Sequence, residues 1–218
     1  LMIGFCREYG YRLEFEDTAF AAIMAGVSSG RYDVGMSGIT ITEERRESVD
    51  FSAVNHTEDL VLVIHKQSDV KTFEDYKNAN VGITTGTYAA TIIHDVFPNA
   101  TVKEFASIPD TMLALTQGKI DIILNDVSYY TCMKWEGMNV DRLEEPYTTT
   151  DFGIAFKKGE NAQLREQMNA FIAKIKESGE YDRLQDKSIF LLDSMVLGLK
   201  TISKDYGSKY LQVKFEEV

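Results

Sequence analysis

The same local pattern occurs twice in this chain of 218 residues. In each copy a helical pattern of apolar residues ends at a glycine, and then come a basic residue, a variable residue, an aspartate and an apolar strand. The first copy contains Gly30 and Asp33, and the second contains Gly118 and Asp121. Glycine is a common helix C-terminal signal, and the apolar run after it favours a buried strand. The duplication therefore predicts two α/β lobes.

Both predicted strands end at a position suited to function. Gly38 lies eight residues after the first glycine, and Asp126 lies eight residues after the second. Ligands of open α/β sheets bind beyond the carboxyl ends of the strands. We therefore expect each lobe to present its strand end to a ligand.

The first strand end continues into a segment that is rich in groups able to bind a carboxylate. Gly38 permits a close approach of the backbone, Thr40 offers a hydroxyl, and Arg45 can hold a planar anion with two parallel hydrogen bonds. The acidic pair before Arg45 is typical of a first helical turn, whose amides also favour an anion. The alternative is an ordinary strand-to-helix turn with a solvated basic pair.

The second strand end carries a carboxylate, Asp126. A carboxylate inside a cleft is destabilised by the loss of water unless a cation is near it. The α-ammonium of a free amino acid would supply that cation, while Arg45 would bind the α-carboxylate. The structural alternative is that Asp126 caps the helix that follows it.

Four elements then follow one another along the chain. They are Gly-Ile-Thr-Ile-Thr-Glu-Glu-Arg at 38–45, Val-Asp-Phe-Ser at 49–52, Gly86-Thr87, and Asp126. Together they resemble the extracytoplasmic amino-acid-binding proteins of ABC importers, and the resemblance extends over roughly residues 1–190. It implies the type II periplasmic binding protein fold, in which two α/β lobes joined by hinge strands close on a ligand. It also implies a membrane permease as the partner.

Ligand-binding residues are expected in both lobes. Phe20 occupies a place where the family has an aromatic that packs on the ligand side chain, although a simple core role is equally consistent with its position. The small residues 84–87 lie between a predicted strand and a helix, where exposed amides suit a carboxylate. The predicted set is Phe20, Ser37, Gly38, Thr40, Arg45, Thr84, Thr87, Tyr88 and Asp126.

The resemblance also gives domain boundaries. Lobe 1 would comprise residues 1–64 and 155–190, lobe 2 residues 65–154, and residues 191–218 a C-terminal extension. The family's first strand, with its aromatic loop, has no counterpart before the first helix here, and this removes a lobe 1 strand. Residues 210–218 alternate in polarity, so we predict that they pair with the lobe 1 sheet, within the chain or with a second copy in a homodimer.

Individual elements are also predictable. The apolar run 60–64 is typical of a buried strand. A clear amphipathic helix begins at Asn161, and its apolar face contains Leu164, Met168, Phe171, Ile172 and Ile175. At 53–56 the sequence Ala-Val-Asn-His replaces an aromatic pair of the family, and we interpret His56 as a rim residue.

Composition excludes several classes of function. The formal net charge is −11, and no basic cluster is longer than Arg45-Arg46, which argues against nucleic acid and anionic membranes as partners. No apolar run approaches the roughly 20 residues of a membrane helix.

The cysteines do not indicate a disulfide or a metal site. Cys6 and Cys132 fall in opposite predicted lobes, so we expect no disulfide, and neither has metal-ligand spacing. No cofactor is expected. No signal segment is recognisable, so we expect a fragment or processed form of a protein of the periplasm or outer cell surface.

Other functions stay open. A dehydratase-like enzyme on the same fold would draw its acid or base from Glu43, Glu44, His56 and Asp126. A sensory module joined to a signalling domain, or a shortened chain that no longer binds, would have the same signature. The identity of the ligand is also open, because Asn125, Tyr88, Thr84, Phe20 and His56 permit a polar or a modestly apolar side chain.

Overall fold

The computed structural model describes residues 1–68, 72–76, 78–184 and 211–217. The predicted extension therefore lies outside the described residues, except for its last strand. The chain divides into two compact units, unit 1 (Leu1–His56 and Asp151–Val218) and unit 2 (Thr57–Thr150). The lobe boundaries predicted from the sequence were 64/65 and 154/155.

The helices and strands alternate along the chain, as the duplicated pattern predicts for an α/β protein. In chain order they are α1 (Met2–Tyr9), β1 (Tyr11–Asp17), α2 (Phe20–Ser29), β2 (Val34–Gly35), α3 (Glu43–Ser48), β3 (Val49–Phe51), β4 (His56–His65), a 3-10 turn (Phe73–Tyr76), β5 (Asn80–Thr84), α4 (Tyr88–Val96), β6 (Thr101–Phe105), α5 (Ile108–Thr116), β7 (Ile122–Asp126), α6 (Val127–Trp135), β8 (Val140–Arg142), β9 (Thr148–Phe152), β10 (Ala155–Lys157), α7 (Ala162–Glu177) and β11 (Leu211–Glu217). Residues 180–184 are also helical.

Unit 1 is built on a sheet of strand order β1-β11-β2-β10-β3. The terminal strand β11 lies between β1 and β2 and pairs antiparallel with both, from Tyr11 opposite Glu217 to Asp17 opposite Leu211 on the β1 side. This pairing is within one chain.

Helices cover both faces of the unit 1 sheet. The neighbouring β10 residues Ala155 and Phe156 are fully buried and belong to different apolar clusters, because successive side chains of a strand point to opposite faces. One cluster contains the α1 and α7 side chains Phe5, Met168, Phe171 and Ile172 with Val34 of β2. The other contains the α2 side chains Phe20, Ile23 and Val27 with Tyr32 and Ile39.

Unit 2 is built on a mixed sheet of order β6-β5-β7-β4-β8, with β9 paired to β4. The strands β6, β5 and β7 are parallel, whereas β4 is antiparallel to β7 and β8. Residues 60–64 lie in β4 and are at most 4% exposed, which confirms the buried strand predicted from the sequence. The thiols Cys6 and Cys132 belong to different units and both are free.

Among the described residues, no helix combines the length and the apolar character that a membrane crossing requires.

Candidate functional site

The turn after β2 and the short helix α3 place the candidate residues of unit 1. Thr42 is the N-cap of α3, and its hydroxyl accepts a hydrogen bond from the Arg45 amide at 3.1 Å. Glu43 and Glu44 form the first turn. The helix start predicted from the acidic pair is therefore confirmed, and the cap fixes the backbone that carries Arg45.

Arg45 is oriented by its own segment. Its Nη1 donates to the carbonyl oxygen of Thr40 at 2.7 Å. Thr40 is 6% exposed and forms an isolated antiparallel bridge with Phe152, so the accepting carbonyl belongs to fixed backbone. A guanidinium has five donors in a planar fork, and the bond to a fixed carbonyl restrains its position and leaves other donors for a ligand.

The other predicted residues of unit 1 differ in exposure. Ser37 is half-buried, and Gly38 is exposed with φ of 57°, a left-handed conformation that glycine adopts readily. Phe20, the first residue of α2, is 6% exposed and packs in the cluster of Ile23 and Val27. This packing matches the core role considered for Phe20, and a contact with ligand stays a prediction.

Asp50, from the signature at 49–52, links β3 to residues that follow β10 in unit 1. One of its carboxylate oxygens accepts a bond from the Gly159 amide at 3.0 Å and lies 3.1 Å from Nη1 of Arg165, while the other lies 3.3 Å from the Lys158 ammonium. Burial acts to raise the pKa of Asp50, but the Gly159 and Lys158 hydrogen bonds and the two positive charges outweigh it, so the pKa is lowered. The aspartate therefore ties β3 to the β10–α7 connection.

Side chains of unit 1 also fasten the segment 53–56, which leads into β4. The Ala53 amide donates to Oδ1 of Asn169 at 2.7 Å, and the Lys176 ammonium donates to the Val54 carbonyl at 2.8 Å. Nδ1 of His56 lies 3.0 Å from the Tyr181 hydroxyl. The sequence did not predict these attachments, because their partners are more than 100 residues away along the chain.

In unit 2, the turn 84–87 connects β5 to α4. Thr84 is 3% exposed, and its hydroxyl shares a hydrogen bond with that of Thr111 at 2.9 Å. The Thr87 hydroxyl donates to the Thr84 carbonyl at 2.8 Å. Both hydroxyls therefore bond within the unit, and the groups best suited to an anion are the amides at the start of α4, where Tyr88 is the first residue.

Asp126 lies at the junction of β7 and α6. It is the last residue of the strand and the N-cap residue of the helix, yet its side chain makes no capping hydrogen bond. Glu58 of β4 instead accepts a hydrogen bond from the Ser128 amide in the first turn of α6. The capping role considered for Asp126 is thus filled by another residue, and the Asp126 amide donates to Oδ1 of the buried Asn125 at 2.9 Å.

The topology of unit 2 brings its two predicted elements to one edge. Because β5 and β7 are parallel neighbours, their carboxyl ends lie on the same side of the sheet. Thr84 ends β5 and Asp126 ends β7. In unit 2 the duplicated pattern therefore leads to an anion at a strand end, whereas in unit 1 the cation Arg45 lies on α3, ten residues after β2 ends.

Comparison with known proteins gives a consistent family. The family model of the bacterial extracellular solute-binding proteins, family 3, matches residues 1–190. A probable histidine-binding protein of Neisseria gonorrhoeae is 29% identical over 86% of this chain and 72% of the relative. The glutamine-binding protein GlnH of an ABC transporter of Bacillus subtilis is 31% identical over 82% of this chain and 65% of the relative.

Solved structures agree with the sequence comparison. An ancestral arginine-binding protein bound to glutamine has a TM-score of 0.79 and 29% identity over 85% of this chain and 84% of its own. An ancestral amino-acid-binding protein described as a precursor of cyclohexadienyl dehydratase has a TM-score of 0.73 and 26% identity, over 80% of this chain and 76% of its own.

Proposed function

This chain belongs to family 3 of the bacterial extracellular solute-binding proteins and has their type II periplasmic binding protein fold, and we propose that it binds a free amino acid and delivers it to an ABC importer. The α-carboxylate of the ligand would bind Arg45, and its α-ammonium would bind Asp126.

One observation carries the proposal. Arg45 lies on α3, which follows the turn after β2, and Asp126, of opposite charge, ends β7, the kind of place where an α/β sheet binds its ligands. Arg45 is oriented by the Thr40 carbonyl, so its fork is prepared for a planar anion. Asp126 ends β7 at the N-terminus of α6, and its carboxylate makes no capping hydrogen bond to that helix. A zwitterion matches this pair better than a simple anion or cation does.

The proposal does not select one amino acid, but the relatives indicate which ligands to test first. Relatives bear the names of histidine-, glutamine- and arginine-binding proteins, so these three ligands come first. The partner we propose is the membrane permease of the importer, and the place of action is the periplasm or the outer face of the cell membrane. A homodimer through the terminal strand stays a prediction without support.

A thermal-shift screen against the twenty amino acids tests the proposal. A ligand at about 100 times its dissociation constant should stabilise the chain by roughly 2.7 kcal/mol. Arg45→Ala and Asp126→Ala should each abolish the shift. Arg46→Ala and Asp95→Ala are the matched controls, because Arg46 lies beside Arg45 with its Nε 3.5 Å from Glu43 and Asp95 is exposed on α4.

Two results would contradict the proposal. Either no amino acid stabilises a chain that is folded by circular dichroism, or the control substitutions remove the shift as completely as the site substitutions do.

We further propose that the bound amino acid is released unchanged. The likeness to a dehydratase precursor is the observation that makes a test worthwhile. Each stabilising amino acid should be incubated with the chain and followed by proton NMR. Appearance of a product that Asp126→Ala abolishes would replace binding with catalysis.

A further inference from the structure

The N-terminus of α6 carries two carboxylates from different strands. The first amides of a helix lack acceptors inside the helix, and the N-cap side chain usually supplies one. Aspartate is among the best residues for this role, and Asp126 occupies the N-cap position. Nevertheless, the bond to the Ser128 amide comes from Glu58. The helix is therefore capped from a neighbouring strand.

The sheet register explains why Glu58 can reach this amide. β4 and β7 are antiparallel, and Leu60 lies opposite Asp126. Glu58 lies two residues before Leu60 on β4, and Ser128 lies two residues after Asp126 in the first turn of α6, so both come just past the same end of the ladder. The Glu58 carbonyl also accepts a bond from the Thr150 hydroxyl at 3.3 Å. The cap is thus held by the sheet and does not depend on a loop.

We infer that Glu58 is a positioning residue for the ammonium site: by capping α6 from β4, it keeps the Asp126 carboxylate turned toward the ligand and away from the helix amides. The inference rests on the proposed function, since it assigns a purpose to the second carboxylate of the same site.

The physical reason is that the amides of α6 and the ammonium of the ligand compete for the Asp126 carboxylate. A capping aspartate must turn its oxygens back toward the amides of the second and third helical residues, which fixes its side-chain torsion. An aspartate that meets a ligand beyond the strand end must point outward. If Glu58 is removed, the unsatisfied Ser128 amide offers Asp126 a charge-assisted hydrogen bond, and the carboxylate turns inward.

Crystal structures of Glu58→Ala and Glu58→Gln without ligand test the positioning step. In Glu58→Ala we expect an Asp126 oxygen within hydrogen-bond distance of the Ser128 amide. In Glu58→Gln the amide oxygen of glutamine still accepts from Ser128, so Asp126 should keep its original torsion. The same Asp126 torsion in Glu58→Ala as in the unaltered chain would overturn the inference.

Calorimetric titration tests the consequence for binding. The probes are L-histidine, L-glutamine and L-arginine, each beside its analogue in which hydrogen replaces the α-ammonium. Glu58→Ala should weaken the binding of the amino acid about tenfold and leave the binding of the analogue unchanged. In a background of Asp126→Asn, Glu58→Ala should have no further effect, because it acts through Asp126.

Asp59→Ala is the matched control for charge. Asp59 is the next residue of β4 and bonds the Thr149 hydroxyl at 2.9 Å, so its removal deletes the same charge beside the same strand. Equal losses in Asp59→Ala and Glu58→Ala, or equal losses for amino acid and analogue, would overturn the inference. If none of the three amino acids binds the unaltered chain, the proposed function fails for these ligands, and the crystal structures still decide whether Glu58 positions Asp126.

Discussion

The two copies of the duplicated pattern fold alike as far as their aspartates. Gly30 ends α2 and Gly118 follows α5, both in the left-handed region with φ of 77° and 66°. The residue before each aspartate then packs on another glycine. A Cβ at Gly26 would lie 2.0 Å from the Tyr32 ring, and one at Gly82 would lie 2.2 Å from Cδ1 of Ile120.

Beyond the aspartates the two copies diverge, and the divergence concerns how each charged residue is held. In unit 1 the strand is two residues long, and Arg45 is held by Thr40 and Thr42, both within five residues of it. In unit 2 the strand has five residues, and the cap beside Asp126 comes from Glu58, 70 residues before Ser128. The cationic end is therefore a local structure, whereas the anionic end depends on strand pairing.

The largest effect on stability is expected at the glycine contacts, where the substitutions Gly26→Ala and Gly82→Ala should differ in cost. Gly26→Ala should lower the free energy of unfolding by about 3 kcal/mol, because the added methyl meets a buried aromatic ring whose hydroxyl bonds Glu16 at 3.1 Å. Gly82→Ala should cost about 1 kcal/mol, since the terminal methyl of Ile120 can rotate away. Urea denaturation measures both.

A rescue experiment checks the cause. Replacing the ring in Gly26→Ala/Tyr32→Leu should cost less than the sum of the single substitutions, because the methyl then has space. Equal costs at Gly26 and Gly82 would show that the two contacts are equivalent after all.

A smaller effect on stability should distinguish two aspartates, Asp50 in unit 1 and Asp121 in unit 2, each of which links elements of its own unit. Asp50→Asn should cost about 2 kcal/mol at pH 7, because its carboxylate meets Arg165, Lys158 and the Gly159 amide. Asp121→Asn should cost about 1 kcal/mol, since Asp121 accepts bonds from the neutral groups of Asn80, at 2.7 and 2.9 Å.

The Asp50 contribution should also depend on pH. The folded state lowers its pKa below the ordinary value of 3.8, so the ionised carboxylate stabilises the fold above pH 3.8. This stabilisation is lost as the pH falls through the lowered pKa of the folded state. Urea titrations from pH 7 downward should therefore show the unaltered chain and Asp50→Asn converging in acid, and a constant difference would contradict the ionic role.

This contrast between local and distant contacts also explains what the sequence could predict. The α3 start at Thr42, the buried strand at 60–64 and the apolar face of α7 follow from local patterns, and the structure confirms them. Met168, Phe171, Ile172 and Ile175 are buried as the helical spacing requires, whereas Leu164 is half-buried near the helix start.

The contacts that escaped prediction share a long separation along the chain. Glu58 has no motif, and its role appears only once the β4–β7 register is known. Asn169 and Lys176 of α7 bond the segment 53–56, and no local pattern indicates these contacts. The alternation of residues 210–218 predicted pairing with the lobe 1 sheet, but the position of β11 between β1 and β2 depends on strands far away along the chain.

The smallest effect should come from the helix caps, and it sharpens the comparison most directly. Thr42 caps α3 in unit 1, and Ser107 caps α5 in unit 2 through the Asp110 amide at 3.3 Å. Thr42→Ala and Ser107→Ala should each cost about 1 kcal/mol of stability. Only Thr42→Ala should also weaken amino-acid binding, by roughly threefold to tenfold, because α3 has six residues and its cap fixes the turn that carries Arg45.

Calorimetric titration of Thr42→Ala, Thr42→Ser and Ser107→Ala measures this effect on binding. The serine variant keeps the hydroxyl and should bind normally. Equal binding in all three would mean that the Thr42 cap does not contribute to orienting the guanidinium, and the bond to the Thr40 carbonyl would then be the contact to test next.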